Sequence, residues 1–171
     1  CMAKVFTYAG SMPVVESTMS HAIRLADTML PQNVKECFLH GYSPLNALID
    51  RLDDNICLTI LDGRRPVSML GLIETSPRTA SLWLLSSGLF YTKWFSVFRV
   101  SKKLIDMFHE KYYRIEVDAL VENNKTIEWL LWLGFVPEGE SELEGNDIVH
   151  FVRCNQSKNN IYNFPSRPVM H

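Results

Sequence analysis

Cysteine is scarce in this chain: four in 171 residues, at positions 1, 37, 57 and 154, with no Cys-x-x-Cys pair and no histidine at zinc spacing. Such a pattern argues against a structural zinc site or a disulfide framework and fits reduced thiols in a cytoplasm. His21, His40, His109 and His150 likewise show no spacing of a metal site or a catalytic triad. No metal is expected. A run of basic residues is also missing, and the net charge is −2, so a nucleic-acid role resting on clustered Lys and Arg is disfavoured. The most apolar window, Leu82 to Phe98, is shorter than a bilayer span and is broken by Gly88 and Lys93. No basic start leads into a long apolar core, and Lys4 to Gly10 reads as a strand, so no signal peptide is expected. Cys1 ahead of Met2 reads as a processing remnant, with Met2 the natural start. The expectation is a soluble cytoplasmic protein.

What is present is enough apolar material, 47% of the residues, for one real core. The richest stretch is RIEVDALVENNKTIEWLLWLGF, Arg114 to Phe135. In it Ile115, Val117, Ala119 and Val121 alternate with Glu116, Asp118 and Leu120, the period of a strand with one buried face. Asn123 or Asn124 then caps a helix whose Ile127, Leu130 and Leu131 recur at helical spacing. Gly134 suits the left-handed closure of that helix, and Phe135 turns back to start another strand.

Upstream, Ile56 to Leu61 and Pro66 to Glu74 read as strands around an Asp62-Gly63 turn, with a third strand from Thr79 to Leu85. Trp94 to Lys111 reads as a long helix with Val97, Ser101, Leu104, Ile105 and Phe108 on one face. Met12 to Leu30 and Pro44 to Leu52 also look helical. The reading is an α/β (α+β) domain over residues 2–153, a mixed and mostly antiparallel sheet flanked by helices. A polar tail, 154–171, follows; its Ile161, Tyr162, Phe164 and prolines suit docking on the domain or an arm onto another subunit of a homo-oligomer.

The order of elements, with Asn123, Ile127, Trp129, Gly134 and Phe135 in register, resembles the GNAT superfamily of N-acetyltransferases across nearly the whole chain. That resemblance implies an acyl-CoA-dependent transfer of an acetyl group to an amine, with acetyl-CoA as co-substrate. It places the site where the third hairpin strand ends and the long helix begins. There the pantetheine arm pairs with exposed backbone at Leu84, Leu85 and Ser86 like an added strand, and the pyrophosphate rests on helical N–H groups. Glu74 takes the place of a base by family geometry, and Ser86 or Tyr91 could orient a water or donate a proton. Two departures stand out. Leu130 occupies the position where many members carry a tyrosine acid, and the glycine-rich phosphate loop is replaced by Ser86-Ser87-Gly88-Leu89-Phe90-Tyr91-Thr92-Lys93-Trp94. In one reading of that loop, Gly88 makes the turn, Thr92 caps the helix and Lys93 with Arg99 supplies charge, Asn123 completing the cofactor contacts. In the other, Leu89, Phe90, Tyr91, Trp94 and Phe95 fill the cofactor slot or form a partner surface.

Trp129 and Trp132 read as core, with any exposed one marking a protein contact. Glu138 to Asp147 reads as a mobile acidic hairpin tip, which by the GNAT resemblance borders the acceptor side. From Leu82 to Phe135 the chain is also similar to GNAT-like proteins of short-tailed bacteriophages, which implies a phage origin and expression in a bacterial host. The alternative function is then an inactive scaffold that binds a host or virion protein.

Overall fold

The computed structural model describes residues 4–155; the expected tail beyond Asn155 lies outside these residues. Two strands, β1 (Val5–Ala9) and β2 (Met12–Glu16), precede three helices, α1 (Met19–Thr28), α2 (Pro31–Leu39) and α3 (Pro44–Arg51). Strands β3 (Ile56–Asp62), β4 (Arg65–Ser76) and β5 (Thr79–Ser86) follow, then a single turn α4 (Leu89–Thr92) and the long α5 (Trp94–Phe108). The chain closes through β6 (Arg114–Leu120), α6 (Asn124–Trp132), β7 (Val136–Leu143) and β8 (Asn146–Cys154). The eight strands form one sheet in the order β1-β2-β3-β4-β5-β6-β8-β7, antiparallel throughout except for the β5–β6 pair.

The mixed, mostly antiparallel sheet agrees with the sequence reading, but three segments differ. Met12–Glu16 is a strand paired to β3, not the start of a helix. Its Val14 and Val15 are buried on opposite faces of the sheet, which suits β-branched side chains. Thr18 accepts from the His21 N–H and starts α1 only at Met19. Helix α2 is the third of the two or three helices the sequence allows before the hairpin series, but no range was placed on it; Pro31 at its first turn was the available signal. The acidic segment Glu138 to Asp147 is mostly strand, with only Glu144 and Gly145 in the left-handed region at the turn between β7 and β8.

Each face of the sheet has its own core. On one side Val97, Val100, Leu104, Ile105 and Phe108 of α5, with Trp129, Leu130 and Leu133 from α6 and the residue after it, cover Leu70, Leu72, Leu82, Ile115 and Phe151. On the other, Ala22, Leu25, Cys37 and Leu48 from α1 to α3 cover Cys57 and Met69, with Trp83 and Leu85 packed alongside. The α5 stripe is the one expected from spacing, Ser101 included; its hydroxyl donates to the Val97 C=O inside the helix. The end of α6 also follows its sequence. Gly134 takes φ +95°, the Gly134 N–H donates to Leu131 O, and the Phe135 N–H reaches back to Leu130 O, burying the Phe135 ring. Within α6, however, Leu131 faces outward while Trp129 is buried, so the apolar stripe runs through 129, 130 and 133.

Gly71 marks the tightest approach in the sheet. A Cβ there would lie 2.2 Å from the Ile56 C=O and 3.0 Å from the Trp83 indole, which lies against this bare backbone. Gly71→Ala is expected to destabilise the fold by about 1–3 kcal/mol, as overpacking does. Chemical denaturation of the variant would read this as a lower midpoint at unchanged slope.

Candidate functional site

Strand β5 pairs with β6 only from Thr79↔Arg114 to Ser81↔Glu116, although β5 continues to Ser86 and β6 to Leu120. The two strands splay. Main-chain groups alternate along a strand, and Arg78 C=O accepts the Arg114 N–H, so the even-numbered residues of β5 turn their N–H and C=O toward β6. Beyond the splay, Ser86 has found substitutes for the lost strand: its N–H donates to Asn33 Oδ1 at 2.9 Å and its C=O accepts the Leu30 N–H at 2.9 Å. Between these anchors, Leu82 and Leu84 present main-chain groups to the opening.

A cavity of about 400 Å³ fills this wedge and continues onto the α2–α3 side of the sheet. Leu82, Leu84, Val117, Phe90, Trp129 and Leu130 make its apolar part. One face of α2 supplies most of the polar wall, because Gln32, Glu36 and His40 stand four residues apart and share that face. Asp50 and Arg51 of α3, Trp83 of β5 and Asp118 of β6 complete it. Arg51 pairs with Asp50 and Asp54, and Asp118 pairs with His150. Among the described residues, Glu36 has no cation in contact. Its Oε1 accepts from Asn33 Nδ2 at 3.0 Å. Burial pushes its carboxyl above the ordinary glutamate value, with Glu122 adding to the rise and Asn33 and His40 opposing it. A carboxylate so placed is an acceptor for an incoming proton. Sequence reading missed it because no range was placed on α2.

The residues expected at the site are distributed unevenly. Tyr91 lines the cavity, stands 41% exposed, and accepts from Gln32 Nε2 at 2.5 Å, leaving its own phenolic proton to donate. Ser86 lines it too, but its hydroxyl is buried against Ser68 Oγ at 2.8 Å and its main chain is taken, so it is corrected from a catalytic and pantetheine contact to a structural one. Leu85 turns its main-chain groups to β4, by the same alternation, and leaves Leu84 as the open edge. Glu74 stands across from Ala80 on the α5 face and away from the cavity lining, where its carboxylate accepts from the Tyr112 hydroxyl at 2.7 Å and lies 3.8 Å from Lys111 Nζ. Strand alternation puts Ile73, not Glu74, on the cavity side.

In the loop, Gly88 begins α4 at φ −60° with open space around it, a conformation any residue adopts. Thr92 does not cap α5; its hydroxyl donates to Leu89 O, and Lys93 holds the cap position without a side-chain bond. Lys93 Nζ lies 4.0 Å from Asp62, and Arg99 sits on the exposed face of α5 over the Phe95 ring at 5.7 Å. Asn123 makes no side-chain cap bond either; it is buried, and its Nδ2 has no partner among the described residues. The two tryptophans separate. Trp129 is 8% exposed and meets the Phe90 ring edge-on at 6.0 Å, whereas Trp132 is 53% exposed beside Trp94 and Phe98. Among the described residues, no group of His, Cys, Asp and Glu could hold a metal ion.

A splayed parallel pair in an otherwise antiparallel sheet, with one long helix between its two strands, defines the fold of the GNAT acetyltransferases, and this chain has it. A GNAT-family acetyltransferase from Bacillus anthracis superposes with a TM-score of 0.66 at 10% identity, over 91% of this chain and 98% of that one. A variant of the spermidine N-acetyltransferase SpeG from Vibrio cholerae gives 0.66 at 16% identity, over 89% and 98%. The self-immunity acetyltransferase MccE, in a structure with acetyl-CoA and AMP, gives 0.62 at 18% identity, over 84% and 92%. No family model matches the sequence, and no curated protein matches it either.

Glu36 generates a stability prediction. A carboxyl whose folded value is raised binds more protons folded than unfolded, so stability falls as pH rises from the ordinary value of 4.5 through the raised one. Glu36→Gln keeps the bond to Asn33 and removes that burden. Its melting temperature should exceed that of the parent at neutral pH, with the gap closing on acidification below the ordinary glutamate range; equal melting curves at neutral pH would contradict the assignment.

Proposed function

We propose that this chain is an acyl-CoA-dependent N-acetyltransferase in which Glu36 is the base and Tyr91 the acid. The observation that carries the reading is the splay itself: an open strand edge at Leu84 leads into a cavity whose far wall holds a carboxylate with an amide partner and, among the described residues, no cation. The amides of a pantetheine arm would bond the Leu84 edge as a missing strand would. The acceptor half, with Glu36, Asp50 and Asp118 against the Trp83 and Tyr42 rings, suits an amine. The acyl thioester supplies an activated carbonyl carbon. A neutral amine attacks it, the C–N bond forms, the amine proton passes to the Glu36 carboxylate, the C–S bond breaks and the Tyr91 hydroxyl protonates the departing thiolate. Gln32, bonded to Tyr91 from the turn before Glu36 on α2, fixes the acid relative to the base.

The likeness to acetyltransferases, one of them holding acetyl-CoA, supports this reading of the cleft. A second reading has its own observation. Trp94, Phe95 and Trp132 form an exposed aromatic group, with Trp94 5.9 Å from Trp132, of the kind that contacts proteins. A phage protein that uses the fold to bind a host or virion protein would place its partner there.

The test is thermal unfolding with acetyl-CoA, ATP serving as a phosphate control. At a hundredfold excess over Kd, binding adds about 2.7 kcal/mol, a shift of several degrees for a domain of this size. A shift with acetyl-CoA alone, followed by acetylation of some member of an amine panel that falls at least about a hundredfold in Glu36→Gln, is the expected result. No shift at millimolar ligand favours the binding protein.

A further inference from the structure

We infer that Ser141, His150 and Asp118 form a second reaction centre, in which a serine nucleophile hydrolyses small acyl esters and thioesters without Glu36 or Tyr91. The three side chains come from the adjacent strands β7, β8 and β6, and their separation along the chain hid the grouping from sequence spacing. Asp118 stands directly across from His150, and its Oδ1 lies 2.5 Å from His150 Nδ1. His150 Nε2 lies 3.0 Å from Ser141 Oγ. A carboxylate only accepts, so Nδ1 carries the ring proton, Nε2 offers its lone pair and the Ser141 hydroxyl donates to it. Gly139, the residue of β7 directly opposite His150, has no side chain to cover the ring, which leaves the diagonal neighbour Ser141 to reach it.

A nucleophile bonded to a base, and the base bonded to a group that orients it, is what nucleophilic acyl chemistry needs. An oxyanion donor is also at hand. Val121 N–H donates to Asp147 O, so Asp147 turns its main chain toward β6, and Glu142 opposite it turns its own toward the open edge of the sheet. The amide that follows the nucleophile thus has no strand partner among the described residues and is available to a developing oxyanion. Ser141 Oγ bonds to the acyl carbonyl carbon as its proton passes to His150 Nε2, and the carbonyl oxygen takes the negative charge beside the Glu142 N–H. The C–O or C–S bond then breaks, and the leaving group takes the proton from His150. Water repeats the sequence on the acyl-serine: its oxygen bonds to the carbonyl carbon, its proton goes to His150, and the Ser141 oxygen departs with that proton as the carboxylic acid is released. Asp118 positions the ring and faces the imidazolium. Ser141 is exposed, at the rim of the cavity that Asp118 lines, so the centre is open to small acyl groups.

Labelling of the whole chain with a fluorophosphonate, read by peptide mass spectrometry, and hydrolysis of p-nitrophenyl acetate test the inference. One adduct on Ser141 is expected, formed at least about a hundredfold more slowly in His150→Gln and at least about tenfold more slowly in Asp118→Asn, which leaves the ring without its orienting acceptor. Ser141→Ala should hydrolyse p-nitrophenyl acetate at least about tenfold more slowly than the parent, and Ser141→Cys, which keeps a nucleophile in the same place, should still form an acetyl-enzyme detectable by mass. Exposed polar contacts of this kind contribute little to stability, so Ser141→Ala should melt with the parent and its loss of activity cannot be a loss of fold. No adduct on Ser141, labelling indifferent to His150→Gln, or a Ser141→Ala variant as active as the parent would overturn the inference. None of these readouts involves acetyl-CoA, so the acyltransferase reading stands or falls separately.

Discussion

The structure depends on what happens to the edge of β5 after Ser81. Up to that residue β6 satisfies the edge, and at Ser86 Asn33 and Leu30 do so in its place. Buried main-chain groups must find partners, so a strand can leave its neighbour only where something else supplies them. Helix α2 is that something. Its N-terminal turn pins the end of β5 and thereby keeps the wedge open, and the next turn of the same helix places Glu36 in the wall of the resulting cavity. One short helix thus holds the cleft and equips it.

The two halves of the cavity have different physical characters. Between β5 and β6 the lining is aliphatic and aromatic, suited to a thin chain with amide groups that pair with a strand edge. On the α2–α3 side it is polar, and among the described residues Glu36 has no counterpart to the Arg51 guanidinium beside Asp50 or the His150 ring beside Asp118. Keeping a carboxylate in that state opposes folding, because burial disfavours its charged form. A titratable group perturbed by burial and placed in a cleft is a candidate for function.

Much of the framework was legible in the sequence. The Asp62-Gly63 turn, the α5 stripe and the Gly134-Phe135 stop each rest on local chemistry, and local chemistry is what spacing reports. Other features rest on contacts distant in the chain. Met12–Glu16 runs straight into α1, but its Pro13, Val14 and Val15 favour a strand and β3 beside it makes it one. Glu74 stands at a strand end, as expected, yet the alternation that turns it toward Tyr112 depends on register. Ser86 looks available until Ser68 and Asn33 are brought to it. Glu36 carried no mark of its own; only the fold shows that, among the described residues, it lacks a partner cation. The altered loop, by contrast, was visible from its missing glycines, and the structure adds that several of its amides bond within the loop or to β4.

The central claim is that Leu84 is an open strand edge that receives the donor's arm, and residue-resolved amide hydrogen exchange tests it most directly. The account predicts that the Leu84 amide exchanges much faster than that of Leu85 in the free protein, and slows by at least tenfold when acetyl-CoA or S-acetylpantetheine is added. Leu84 protected to the same degree as Leu85 in the free protein, or unchanged under saturating thioester, would contradict it.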